Sequence, residues 1–331
     1  MKDIADAAGV SRTTVSFVLN DNPKAQLITP ETRKKVLAVA RELGYRPNLL
    51  ARSVATGKTK VIGLIANLPH ANFQGKMFSG LLAGMEESGY LLKFIGRDTE
   101  TSDDHYVNVA LEHRLAGIIT IGYPTARVGE FHKKLKAHRI PFCVLANSFP
   151  VDIGIRVISD DVQGGIIAVD HLVENGHACI AFLGHSALHS TAMLREQGYL
   201  AGIAKHELEP MVAKLPSFDL ESLKTYFAEN PTVTAVFTTH PSLAANAIKA
   251  VRRIGKRVPE DISVVGYART ELTDGFDPQI TTISQHHQRM GQTAATELIN
   301  AIESDSTEIF ETATNYLIPV ALVPGESVNT L

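Results

Sequence analysis

With 331 residues, 44% of them hydrophobic and 20% charged, the chain has material for two or three domains and a large core, and its composition is that of a globular protein. Its formal charge of −3 hides an asymmetry: residues 1–60 carry 11 Lys and Arg against 5 Asp and Glu, a net of +6, whereas residues 61–331 carry 21 against 30, a net of −9. Two cysteines in apolar runs, Cys143 and Cys179, read as buried thiols; without a membrane-length apolar run or a basic-then-apolar start, a cytoplasmic chain is expected.

The first predicted elements are two short helices about a tight turn within residues 2–20. Ile4, Ala5 and Ala8 share one helical face, and Val15, Val18 and Leu19 share the next. Gly9 can end the first helix in the left-handed conformation, and Ser11 can cap the second. This is a helix-turn-helix. If Val15, Val18 and Leu19 are buried, Arg12, Thr13, Ser16 and Phe17 project outward, and the N-terminal residues of such a second helix reach base edges in the major groove. Arginine grips guanine through two hydrogen bonds, threonine bonds or touches a thymine methyl, and phenylalanine makes apolar contact; Phe17 packed in the headpiece core is the other reading.

A third helix opens at Thr29-Pro30-Glu31, with threonine as cap and proline in the first turn. Val36, Leu37, Ala40 and Leu43 are its expected apolar stripe, Arg33, Lys34, Lys35 and Arg41 its basic surface, and Gly44 its stop. Residues 48–57 offer a fourth helix, too short to stand alone in water. From Val61 the pattern alternates strand and helix. Strands buried on both faces are expected at 61–66, 91–95, 117–121, 142–145, 180–183, 235–238 and 262–266. Helices are expected near 77–88, 103–113, 129–138, 162–175, 195–206, 219–228 and 242–255. That alternation means α/β layers with parallel sheets.

Lys-Asp-Ile-Ala, Ala-Gly-Val-Ser-Arg-Thr-Thr-Val-Ser and Val-Leu-Asn, then Arg-Glu-Leu-Gly-Tyr-Arg-Pro-Asn and Ala-Arg-Ser-Val, resemble the lac repressor and galactose repressor (LacI/GalR) family of bacterial transcription regulators. The resemblance continues through Asn175-Gly176-His177, Arg195 to Tyr199, and Val258 to Tyr267. It implies an all-α headpiece over 1–46, a hinge helix and linker over 47–60, and an effector-binding and dimerisation domain over 61–331. The last has two lobes like a periplasmic sugar-binding protein, near 61–158 with 288–320 and 159–287 with 321–331. It implies a homodimer on near-palindromic operator DNA. The DNA-facing set is then Ser11, Arg12, Thr13, Thr14, Ser16, Phe17 and Asn20, with Arg52 and Val54 from the hinge. Val54 stands where the family inserts a leucine into the minor groove.

A small effector is expected between the lobes, at the carboxyl ends of the strands. The loops there offer Met77, Phe78, Tyr123, Asn147, Arg195, His240 and Arg269. Arg195 matches the family's effector arginine, three positions before a glycine and aromatic pair; a surface ion pair is the plainer alternative. Where sugar-responsive members carry acids, this chain has Ala146, His240-Pro241 and Ala268-Arg269. An anionic sugar-like effector, a sugar acid or phosphorylated sugar, is therefore expected. No metal, cofactor or catalytic constellation is expected: the histidines at 171, 177, 185 and 189 span unlike elements, and Asp103-Asp104 and Asp160-Asp161 read as caps or surface pairs. Gly164-Gly165 reads as a close helix contact. The competing class is a ligand-binding protein of the periplasmic type, which the basic headpiece disfavours.

Overall fold

The computed structural model describes the chain apart from residues 21, 46–58, 68–71, 98–100, 123–124, 147–150, 186–189, 216 and 218. It falls into two compact units, Met1–Thr59 and Lys60–Leu331. The hinge expectations at Arg52 and Val54 and the cleft expectations at Tyr123 and Asn147 lie outside the described residues.

In the first unit, α1 (Lys2–Ala8) and α2 (Arg12–Leu19) meet at Gly9, which takes φ +66° and donates its backbone N–H to Ala5 and Asp6. Ser11 caps α2 by accepting from the Thr14 N–H at 3.0 Å. The 3-10 turn Pro23–Leu27 leads to α3 (Pro30–Glu42), capped by Thr29. Ile4, Ala5, Ala8, Val15, Val36 and Ala40 form the core, with Val10, Val18, Leu19, Val39 and Tyr45 packed around it. The stripe expected on α3 is half right: Leu37 and Leu43 are 41% and 52% exposed, and Val39 replaces them. Thirteen residues make fewer than four turns, and contact with two short helices buries only the inner edge of that face.

The second unit contains two six-stranded sheets. The first has the order β11-β5-β4-β3-β1-β2, from β1 (Val61–Ala66), β2 (Leu91–Gly96), β3 (Gly117–Ile121), β4 (Phe142–Leu145), β5 (Gly154–Ser159) and β11 (Ala313–Ile318). Every neighbouring pair is parallel. The second runs β12-β10-β9-β8-β6-β7, from β6 (Ile180–His185), β7 (Met211–Leu215), β8 (Ala235–Thr238), β9 (Ser263–Tyr267), β10 (Thr281–Ser284) and β12 (Ala321–Val323). Only β12 pairs antiparallel, against β10. The chain crosses between sheets after β5, after β10 and after β11.

Helices α4 (Asn72–Met85), α5 (Asp103–Glu112), α6 (Thr125–Ala137) and α12 (His287–Glu303) belong to the first sheet. The second has α7 (Asp161–Glu174), α8 (Ser190–Lys205), α9 (Leu220–Glu229), α10 (Pro241–Arg253) and the single turn α11 (Glu271–Asp274). Glycines set the tightest crossings. A Cβ on Gly165 would lie 2.6 Å from the Arg195 carbonyl and 2.7 Å from the Tyr199 amide, and one on Gly198 would overlap the Val162 carbonyl. Gly164-Gly165 and Gly198 thus let α7 and α8 touch backbone to backbone, which seats Arg195 close against α7.

Two sequence expectations need correction. Strand β2 is an edge, with Leu91 58% and Phe94 40% exposed, not a strand buried on both faces. Cys143 is fully buried, whereas Cys179 is half-buried; both are free thiols. No helix among the described residues is long and apolar enough to cross a membrane.

Candidate DNA-binding and effector sites

On the first unit, the outer face of α2 begins with Ser11, Arg12 and Thr13, all exposed. Thr14 is half-buried, and its hydroxyl lies 2.9 Å from that of Ser11, so these two hydroxyls share the cap. Phe17 is half-buried and absent from the headpiece core; the Lys24 ammonium stands over its ring at 5.9 Å. The surroundings of Phe17 are therefore a cation and the outer surface, not the helical interior. Asn20 is the C-cap of α2 and differs from expectation. Its amide Nδ2 turns back to donate to the Ser16 carbonyl at 2.9 Å and to the Ser16 Oγ at 3.2 Å.

On the second unit, the polar groups gather where strands β5, β8, β9 and β10 end. Arg195, from α8, is 8% exposed. Its Nε donates to Asp161 Oδ1 at 3.2 Å, one terminal nitrogen donates to the Thr239 carbonyl at 2.6 Å, and its guanidinium lies 3.9 Å from the centre of the Tyr267 ring. Stacking on an aromatic face while donating to a carboxylate uses both faculties of arginine. A guanidinium has five N–H donors, so two bonds leave three. Asp161 is 2% exposed and also accepts from Gln285 Nε2 at 3.2 Å, which donates in turn to Ser159 Oγ at 2.8 Å. Ser159 and Gln285 end β5 and β10 at two of the three crossings, so one carboxylate ties the arginine to the connections between lobes.

The electrostatics around Arg195 are lopsided. Burial first, then Arg195, Lys76 and His286, push the His287 imidazole down to about 3, so it is neutral. His240 is lowered by burial and then by Arg195. Its Nδ1 accepts from the Ser242 N–H at 3.2 Å, capping α10, which requires the neutral ring with its proton on Nε2. The Tyr267 hydroxyl is held well above its usual range by burial and then by the Asp161 charge.

Of the expected cleft residues, Arg195 and His240 come together. Met77 and Phe78 do not: Met77 is a 2% exposed core residue, and Phe78 packs edge-on to Phe94 at 6.0 Å, toward β2. Helix α4 begins at Asn72 rather than 77, so its first turn supplies the cleft groups. Phe73 lies 5.3 Å from the His287 ring, and Lys76 Nζ reaches across to the Arg269 carbonyl at 3.4 Å. The Arg269 side chain turns away to Asp274 at 3.0 and 3.1 Å, with its own side chain 45% exposed. The expected pair Asp160-Asp161 splits: Asp160 caps α7 by accepting from the Gln163 N–H at 3.0 Å, and Asp161 is the buried partner of Arg195. Sequence reasoning missed Asp161, Tyr267, Gln285, His287 and Lys76. Their positions just past predicted strand ends were the available signal.

Ala146, Ala268 and His286, each at the mouth of this region, have φ of +58°, +68° and +51°. Asn and Asp tolerate this conformation better than alanine does. Two of these three are positions where the LacI/GalR resemblance led us to expect acids.

Residues 1–48 match the profile described as bacterial regulatory proteins, lacI family, and residues 169–328 match the periplasmic binding protein-like domain. The HTH-type transcriptional repressor PurR of Erwinia tasmaniensis is 30% identical over 329 residues, covering 94% of each chain. The chain belongs to the LacI family. It is a DNA-binding transcriptional repressor with a small-molecule effector, not an enzyme. Among solved structures, the lac repressor dimer bound to operator and the anti-inducer ONPF superposes with a TM-score of 0.78 at 26% identity, covering 99% of this chain and 98% of that one. The transcriptional regulator CelR in complex with cellobiose shares the fold, with a TM-score of 0.71 at 22% identity over 98% of both chains.

Proposed function

We propose that this LacI-family repressor works as a cytoplasmic homodimer on a near-palindromic operator, and that its effector is an anionic sugar-like molecule held against Arg195 between the two lobes. Arg12, Thr13 and Phe17 face bases in the major groove. The carrying observation is the cationic surroundings of His287, where Arg195, Lys76 and His286 all oppose its protonation. Asp161 balances Arg195 and Asp274 balances Arg269, which leaves the Lys76 ammonium as the surplus charge of that wall. The three remaining N–H donors of Arg195 match a carboxylate or phosphoryl group better than a neutral ring hydroxyl. Phe73 and Tyr267 supply apolar faces for a sugar ring.

Binding shifts the lobes between two arrangements in proportion to the effector's preference for one of them. Calorimetric titration of the purified protein with gluconate, glucose 6-phosphate, glucose and ribose tests the chemistry. An anionic sugar should bind at least about ten-fold more tightly than its neutral counterpart, roughly 1.4 kcal/mol. Tight binding of a neutral sugar alone defeats the anionic reading and leaves the family assignment intact.

A further inference from the structure

We propose that Asn20 is a positioning residue that locks the Ser16 hydroxyl as a hydrogen-bond donor toward an acceptor on the operator. The inference concerns the DNA-reading helix and is independent of the effector.

The amide orientation of Asn20 is settled by chemistry. A backbone carbonyl only accepts, so the group 2.9 Å from the Ser16 carbonyl must be the NH2 end of the amide. The same nitrogen lies 3.2 Å from Ser16 Oγ, which therefore accepts there. A serine hydroxyl has one proton, and with Asn20 donating to its oxygen that proton points elsewhere. Its usual sink within a helix is the carbonyl one turn back, here that of Arg12. Among the described residues no carbonyl, that of Arg12 included, takes it. Ser16 is half-buried on the α2 face beyond Arg12 and Thr13, so the proton is left for a partner outside the protein.

A freely rotating serine pairs with either donors or acceptors on a base edge. A serine locked as donor does not. It accepts guanine N7 or O6, adenine N7, thymine O4 or a phosphate oxygen, and it rejects the amino groups of cytosine N4 and adenine N6. Asn20 thereby removes half of the ambiguity of Ser16 without touching DNA itself.

The test uses the full chain and a palindromic site selected by it from a random duplex pool. Purines in that site are replaced one at a time by 7-deaza analogues, and phosphates by methylphosphonates. The wild type should lose about five-fold in affinity at one position per half-site, the worth of a single hydrogen bond. Ser16→Ala should show no further loss there, and Ser16→Thr should keep the wild-type response. A 7-deaza response places the acceptor on a base and a methylphosphonate response places it on the backbone; both support the proposal.

Asn20→Asp is the sharper variant. A carboxylate cannot donate to Ser16, so it takes the serine proton and leaves Oγ facing DNA as an acceptor. The added negative charge weakens binding to all sites alike, but reselection should exchange the acceptor at that position for an amino group, or, in the backbone case, abolish the methylphosphonate response. Thermal unfolding and circular dichroism confirm that each headpiece is folded. If Ser16→Ala keeps the full wild-type pattern, or Asn20→Asp leaves both the selected sequence and the analogue responses unchanged, the proposal is overturned.

Discussion

Replacing Arg195 by methionine keeps most of the stem volume and removes the guanidinium. The Asp161 side chain, 1% exposed, then loses its charged partner and keeps the neutral amide of Gln285 at 3.2 Å. Water cannot reach it to compensate. Removing one partner of a buried pair costs about 3–5 kcal/mol, because the surviving charge stays desolvated. The same change at Arg269, whose partner Asp274 is 36% exposed, should cost less than about 1 kcal/mol. Adding Asp161→Asn to Arg195→Met abolishes the orphan charge, so the double variant should regain at least about 2 kcal/mol over Arg195→Met alone. Urea unfolding followed by circular dichroism reads all four proteins. An Arg195→Met variant no less stable than Arg269→Met, or a double variant in which the two losses simply add, refutes the buried-pair argument and returns Arg195 to a surface role.

Other expectations follow from the same geometry. Gly164→Ala gains roughly 1 kcal/mol in helix propensity but places a Cβ against the Tyr267 hydroxyl and 2.9 Å from its Cε2 and Cζ. Overpacking of about 1–3 kcal/mol should win, and Tyr267→Phe should relieve part of it; an unchanged melting temperature counts against the tight seating of that ring. His132 is 3% exposed, stacked on Phe142 at 4.2 Å, and burial lowers it to about 4 from 6.5. The unfolded chain therefore binds a proton that the folded one refuses, so its contribution is intact above pH 6.5 and is lost as pH falls toward 4. His132→Phe should flatten the acid limb of the stability curve by up to about 3 kcal/mol; an unaltered limb contradicts this. Ala268→Gly should stabilise the effector domain by roughly 1 kcal/mol, since φ +68° strains alanine and not glycine; a loss of stability there means the methyl contact outweighs the backbone.

The parts legible in the sequence were those set by local chemistry. Gly9, Ser11 and Thr29 announced the headpiece turns and caps, and the doubly buried runs at β1, β3, β4, β6, β8 and β9 announced the sheets. The strands passed over lack that signature. β10 is Thr-Thr-Ile-Ser, whose hydroxyls are buried but not apolar; β7 alternates exposed and covered residues as an edge; β5 carries Arg156 in its middle. The site divided in the same way. Arg195 was readable because a glycine and an aromatic follow at fixed spacing, and the spacing exists because Gly198 must touch α7. Asp161 was not, since an adjacent acid pair gives no hint that one member caps and the other is buried. Met77 and Phe78 were placed by a helix start five residues late, which moved the cleft-facing turn from 72–76 to the next turn inward.

The central claim, a repressor whose operator affinity answers to an anion at Arg195, is tested most directly by fluorescence anisotropy of the selected operator duplex with and without gluconate or glucose 6-phosphate. The comparison is between the wild type and the charge-balanced Arg195→Met/Asp161→Asn variant. An effector acting through Arg195 should move wild-type operator affinity by about 5-fold or more and leave the variant unmoved. An equal response from both proteins, or a wild type that answers only to neutral glucose or ribose, contradicts the account.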